Sequence, residues 1–589
     1  MPHRHRQTLG RNVAERDAMD TSPIATPSPF ASSSSPLPVA LTRDQARSAV
    51  AAGSGRHGGP GGRGGNPGGG AANAATPRNA SASDWIAVAA GALGALLATL
   101  DISITNSALP QIQGQIGASG TEGTWISTGY LMSEIVMIPL AAWLTRVLGL
   151  RRFLMLNAVF FTLFSMMCGA SSSLAEMIVG RIGQGFAGGA MIPTAQMIIR
   201  TRLPRHQMPV GMAMFGLIVL LGPLLGPVVG GWLTENANWR WCFFLNLPIS
   251  ATIVTLLMLG LKREPTHLQA FFKADWLGIV GLTIGLSTLT VVLEEGQRER
   301  WFDSPLIVWL SIVSAVGIAM MLVAQFTAEK PIVKLSLLGN RNYASVIYIV
   351  FTVGAGLYGV SYLLPQFLAT IAGYNAQQSG NIMLLSGLPA FLMMPFLPRL
   401  ISRVDIRLLV ILGLLCFFAS CMLDIDLTAQ SVGHDFTMSQ LLRGVGQMLA
   451  MMPLNQASMA AVEAQDAGDA AGLYNMARNL GGSVGLALLG TLIDRRTAYH
   501  DAMLRETITA NSSLGQAHLA ANAASFFAQT GDSVHAQLQA TAQLAAEIAQ
   551  QASVMTFSET FYALGIALLL CVPLALLLKQ PTGFNSGGH

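Results

Sequence analysis

The chain has 589 residues, 52% of them hydrophobic and 11% charged, with a formal net charge of +4. Soluble globular proteins carry roughly 25% charged residues, so a long chain with under half that share has apolar surface facing lipid as well as a core. The small, scattered positive excess excludes the clustered basic face that nucleic-acid binding needs. The five cysteines (Cys168, Cys242, Cys416, Cys421, Cys571) all fall in apolar runs, which gives neither a disulfide framework nor a metal spacing.

Residues 1–83, with "SSSSPLP" and "GSGRHGGPGGRGGNPGGG", lack the apolar content to offset ordering entropy and are expected to form a disordered cytoplasmic tail. They contain no apolar h-region, so they do not read as a secretory signal. From Trp85 onward, apolar segments of about 20 residues follow one another, each able to cross roughly 30 Å of hydrocarbon as a helix. They are predicted at 85–109, 123–145, 152–171, 174–199, 209–233, 241–261, 275–294, 305–327, 343–371, 377–400, 406–425, 436–461, 470–494 and 554–578, fourteen in all. With the N-terminal tail inside, one set of connections holds sixteen Lys and Arg residues, among them Arg146, Arg151, Arg152, Arg205, Lys330 and Lys579. The other set holds six: Arg240, Arg298, Arg300, Arg495, Arg496 and Arg505. That bias predicts both termini in the cytoplasm. The long connection 495–553 is rich in Ala and Gln, good helix formers, and is expected outside as one or two helices lying beside the membrane.

Ionisable groups inside a span cost about 2.5–3.5 kcal/mol at its centre on insertion scales and are functional candidates for that reason. Asp101 in "LLATLDISITNSALPQI" lies nine residues before Pro110, roughly 13 Å from the outer face. Arg181 lies at a similar depth in the fourth span, so the two are placed to meet. Glu134 falls near the middle of the second span. Arg443 enters the twelfth span as Arg181 enters the fourth, and Arg478, next to Asn479, lies in the thirteenth. Each also has a plain structural reading as a hydrogen-bonded fastener between helices. Asp424, Asp426 and Glu559 lie near span ends, where solvation is expected. In "GPLLGPVVGGWL", Gly222, Gly226 and Gly230 share one helical face that permits close backbone approach. Pro223 and Pro227 remove backbone donors and are expected to bend that helix. "RIGQGFAGG" and "NMARNLGGSVG" repeat the pattern with Gly185, Gly189, Gly481 and Gly485.

These motifs match a family. "LDISITNSALPQI" resembles the first span of the fourteen-span drug:proton antiporters of the major facilitator superfamily, the EmrB/QacA type. "GRIGQGFAGG" is similar to the family's fourth-span motif, its arginine and glutamine falling on Arg181 and Gln184. "GPLLGPVVGG" resembles the antiporter motif at Gly222, Gly226, Pro227, Gly230 and Gly231, and "NWRWCFFLNLPIS" and "ARNLGGSVGLALLGTLI" resemble the sixth and thirteenth spans. One position departs: in "AAWLTRVLGLRRF" Arg146 stands where the superfamily's second-to-third loop carries an aspartate.

The resemblance implies an all-α membrane protein of two six-helix bundles, at 84–261 and 343–578, with 275–327 as an inserted helix pair. It implies alternating access to a cavity between the bundles, proton-driven export of amphipathic or hydrophobic drugs across the bacterial inner membrane, and no cofactor beyond the proton gradient. Asp101 is the leading proton carrier and Glu134 the second, with Arg181 favouring the ionised form. In related Gram-negative exporters the pump works with a periplasmic adaptor and an outer-membrane channel, and 495–553 is a plausible adaptor contact. The rival duties are export of a specific lipid, fatty acid or siderophore, and uncoupled transport. A membrane enzyme would need a His/Asp or metal-ligand constellation within the spans, yet the histidines fall in the tail, connections and C-terminus. A sensor would need a soluble signalling domain.

Overall fold

The computed structural model describes residues 79–578 apart from 205, 330 and 508–511. The predicted disordered tail through residue 78, and Arg205, Lys330 and Lys579 among the orienting charges, lie outside the described residues.

The first span, α1 (Ala82–Ile116), starts at a capping box in which Ser81 and Asp84 satisfy each other's backbone donors, and stops at Gly117 with φ +75°. It is followed by α2 (Trp125–Leu148) and α3 (Leu150–Ala170). The fourth span is two helices, α4 (Leu174–Gly188) and α5 (Met191–Arg202). Next come α6 (Met208–Asn236), α7 (Trp241–Gly260), α8 (Trp276–Glu295) and α9 (Pro305–Thr327). In the second half, α10 (Arg341–Thr370) precedes a tenth span in three pieces, α11 (Ala376–Leu384), α12 (Gly387–Met393) and α13 (Leu397–Arg403). The chain continues through α14 (Ile406–Leu423), α15 (Thr437–Ala460), α16 (Ala467–Thr507), α17 (Ser513–Thr530) and α18 (Ser533–Leu569).

Helix therefore occurs wherever a span was predicted, although length and hydropathy alone do not give the full count of fourteen. Among the described residues eleven helices are long and apolar enough to cross a membrane, twelve if the tenth span, bent by 61°, counts as one. The fourth falls short because the break after Gly188 leaves pieces of 15 and 12 residues. The twelfth, α15, is a continuous helix of 24 residues diluted by Gln440, Arg443, Gln447, Asn455 and Gln456. The outward surface is apolar, with Phe326, Leu259 and Leu570 largely exposed. That is the mark of a multi-pass protein whose partner is lipid.

α1 through α7 form one bundle and α10 through α18 the other, and α8 packs on α9, on α2 and on α16. The inserted pair thus touches both halves. Its turn holds the two non-glycine residues with positive φ among the described ones, Arg300 (57°) and Trp301 (55°), each costing on the order of 1–3 kcal/mol.

The 495–553 connection is helical, as its Ala and Gln content predicted, and its helices are long. α16, at 41 residues, runs for about 60 Å, roughly twice the hydrocarbon thickness. The first part of α18 likewise precedes the fourteenth span without interruption. With α17 packed on α18, this region extends the helices of the thirteenth and fourteenth spans past their predicted ends. Arg496 clamps Glu559 at its base through two contacts of 2.5 and 2.6 Å.

Candidate functional site

α6 positions the first charge. Gly222, Gly226 and Gly230 press on α1, where a methyl group at each would meet Thr99, Ser103 and Ile104 in turn. Pro223 and Pro227 have no N–H, so the carbonyls of Val219 and Pro223 lose their helical donors. The hydroxyls of Thr99 and Ser103 from α1 donate to those two oxygens at 3.4 Å. A proline pair in an apolar medium is tolerated when a neighbour satisfies the freed groups, and α6 stays an unbroken helix of 29 residues. Gly231 faces open space.

Against this frame Asp101 is buried and fully engaged. Its Oδ2 accepts from Arg181 Nη1 at 2.5 Å, and its Oδ1 from Gln184 Nε2 at 3.0 Å and Asn246 Nδ2 at 2.6 Å. Arg181, with none of its surface exposed, also donates to the Ile126 carbonyl and to Gln184, and its guanidinium lies 4.4 Å from the Tyr130 ring centre. Three donors thus occupy the two oxygens of this one carboxylate. Asp101, Arg181 and Gln184 thus come together within the N-terminal bundle, away from the surface it presents to the other half.

Glu134 occupies a different place. It is 3% exposed, on the α2 face where Gly189 of the broken fourth span packs against its backbone. Its carboxyl lies close to Arg478 and Asn479, both on α16 of the opposite bundle, and to Arg181 behind it. One face of α16 repeats such contacts at four-residue spacing. Asn475 Nδ2 donates to Gln196 Oε1 of α5 at 2.7 Å, Asn479 meets Glu134, and Ser483 donates to Glu294 of α8 at 2.9 Å. At the predicted cytoplasmic end Arg146 Nη1 reaches both oxygens of Asp469 at 3.0 Å. The basic residue that departs from the superfamily's loop motif therefore has an acidic partner at the start of α16. A cavity of about 590 Å³ lies beside that pair, lined by Thr145, Arg146, Arg202, Glu264 and His267 among others. It is two to three turns of α2 away from Glu134.

The second bundle has its own buried pair. Arg443 Nη2 donates to Asp424 Oδ2 at 2.7 Å, which corrects the expectation that Asp424 is solvated: it is 2% exposed. It caps the C-terminal end of α14 and pairs there with Arg443 of α15. Asp426 is exposed, as expected of a span end. Arg443 Nε and Nη1 are buried with no hydrogen-bond partner.

Sequence reading missed Asn246, Tyr130, Ser483 and Glu294. A lone asparagine within the apolar "LNLPIS" was a usable signal for the first. Glu294 sat at the predicted end of a span, where a carboxylate draws no attention.

The fold and this interior polar network define a membrane transporter. Residues 91–486 match the family model described as Major Facilitator Superfamily. The chain is 34% identical over 426 residues to a colistin resistance protein, EmrB, of Acinetobacter baumannii, covering 72% of this chain and 83% of that one. It is 30% identical to the fatty acid resistance protein FarB of Neisseria gonorrhoeae (87% and 99% covered) and 29% identical to the multidrug export protein EmrB of Escherichia coli K12 (84% and 95%). Among solved structures, the human organic anion transporter MFSD10 aligns with a TM-score of 0.52 at 16% identity, over 82% of this chain and 99% of that one. The proton:xylose symporter XylE aligns at 0.53 and 13%, over 83% and 94%. The chain belongs to the major facilitator superfamily, in its EmrB-type branch.

Proposed function

We propose that this protein exports amphipathic or apolar toxic compounds in exchange for protons, and that Glu134 is the principal proton carrier. The observation that carries the reading is a buried carboxylate of one bundle facing Arg478 and Asn479 of the other. Ionised Glu134 draws the bundles together through Arg478. A proton on it removes that attraction and shifts the balance between the two access states. Each proton entering down the membrane potential supplies about 2.3 kcal/mol per 100 mV. Asp101, whose oxygens are already taken by Arg181, Gln184 and Asn246, serves in this reading as the charge that anchors Arg181 behind Glu134. This reorders the expectation from sequence, which put Asp101 first.

The names of the relatives, resistance to colistin and to fatty acids and multidrug export, support amphiphiles as the substrate class. A dedicated fatty-acid exporter is the second reading. The protein sits in the inner membrane with both termini in the cytoplasm, spans it fourteen times, and offers the helices between residues 495 and 553 to a periplasmic adaptor leading to an outer-membrane channel.

The test is Glu134→Gln in proteoliposomes. Dye accumulation driven by an imposed pH gradient is expected to disappear while dye binding stays within a factor of a few. Accumulation at the unaltered level would remove Glu134 from the role.

A further inference from the structure

We propose that Glu294, contributed by the inserted helix pair, is a second proton-exchanging carboxylate of the transport cycle, standing at the outer end of the polar face of α16. The proposal rests on the proton-driven export reading and adds to it a carboxylate of the inserted helix pair.

Glu294 is the penultimate residue of α8, half-buried, and its Oε1 accepts from Ser483 Oγ at 2.9 Å. Ser483 lies four residues beyond Asn479, about 6 Å along α16. The carboxylates of α2 and α8 therefore occupy successive rungs of one helix face, and Tyr358 of α10 lies near both. The adjacent Glu295 shows the contrast. It is buried, its Oε1 takes the hydroxyl of Thr128 at 2.8 Å, and Arg298 pairs with it at 2.8 Å. Glu295 is held by the Thr128 hydroxyl of α2 and by the Arg298 cation of its own turn. Glu294 has one neutral donor, and no guanidinium or ammonium pairs with it among the described residues.

The groups facing Glu294 are few. Glu295 precedes the turn, Tyr358 approaches from α10, and Ser483 from α16; Arg478 and Glu134 lie a turn deeper. Arg298 is taken by Glu295, and Asp494 by Gln297 Nε2 at 3.0 Å. A proton from outside water bonds to a Glu294 oxygen and cancels its charge, with no other bond made or broken. Return of that proton to water on the other side, by way of Glu134, restores it.

The same turn fastens the halves together. Gln297 and Trp301 hold it on α16, through Asp494 and through Thr491 Oγ1 at 3.0 Å, while Glu295 holds it on α2. Trp301 does so at a φ of 55°, which a bulky side chain adopts only when its surroundings impose it. Titration of Glu294 therefore acts on a strained turn gripping both bundles. Membership of the insert in the proton path gives these two extra helices a task.

The experiment uses the purified full chain in proteoliposomes, with ethidium as probe and trapped pyranine to count protons. Glu294→Gln keeps an acceptor for Ser483, so folding should survive, and protons moved per ethidium should fall by one. Glu294→Asp should restore the ratio. Ser483→Ala, which removes the donor that favours the ionised carboxyl, should move the rate profile towards higher pH. An unchanged ratio and profile in Glu294→Gln overturns the proposal. If that variant does not fold, a wild-type pH profile in Ser483→Ala overturns it equally. Should the unaltered protein exchange no protons for ethidium, the exporter reading fails and this proposal with it. Proton-coupled wild type beside an indifferent Glu294→Gln sinks the proposal alone.

Discussion

In the N-terminal bundle α6 lays Gly222, Gly226 and Gly230 along α1, and in the C-terminal bundle α16 lays Gly481 and Gly485 along α10. The backbone solution is shared, since close approach in an apolar medium requires small residues whichever half is built. The use made of it differs. On α1 the approach encloses Asp101, whose two oxygens take three donors from Arg181, Gln184 and Asn246. In the second bundle the buried pair is Arg443 with Asp424, drawn from α14 and α15, and two of the arginine's nitrogens stay unmatched. The first half is thus a saturated electrostatic lock, and the second keeps spare donors and presents Arg478 to its opposite number.

The sharpest way to break this comparison is to empty each lock. Arg181→Met leaves Asp101 buried without its cation, a change worth about 3–5 kcal/mol. Arg443→Met strands Asp424 but also removes two buried donors without partners, so its loss should be clearly smaller. Thermal unfolding of the two purified variants in detergent reads the difference directly, and equal losses would erase the distinction. Next in size is the glycine face. A side chain at Gly226 overlaps Ser103 and one at Gly481 overlaps the Phe351 carbonyl, so Gly226→Val and Gly481→Val should each cost about 1–3 kcal/mol. Gly231→Ala, with open space around it, should be silent by the same measurement. The smallest effect tests a feature of α6 alone, its proline carbonyls. Removing the hydroxyls that serve them, with Thr99→Val and Ser103→Ala, should cost about 0.6 kcal/mol each, the mean for hydrogen bonds between membrane helices. α16 has no proline, and so no such dependence on α10.

Much was legible beforehand because a bilayer imposes its rules on the sequence. Apolar stretches of fixed length, loop arginines and four-residue glycine spacing are local patterns with one physical meaning, and they gave the helices and the bundle order. The depth argument placed Asp101 and Arg181 at one level from the rise per residue alone. The partners of a charge, however, arrive from helices distant in sequence, so nothing local separated Asp101, satisfied within its own bundle, from Glu134, buried in the seam. Asp424 and Glu294 were hidden for the same reason: a carboxylate at a span end reads as solvated until another element covers it. The breaks in the fourth and tenth spans and the extension of α16 past its predicted end followed from packing and capping, to which hydropathy is blind. The sequence by itself determined that this chain crosses a membrane repeatedly and which residues are costly to hide there. Only the tertiary structure decided which of those charges is compensated, because compensation is a matter of ångströms between helices that composition does not encode.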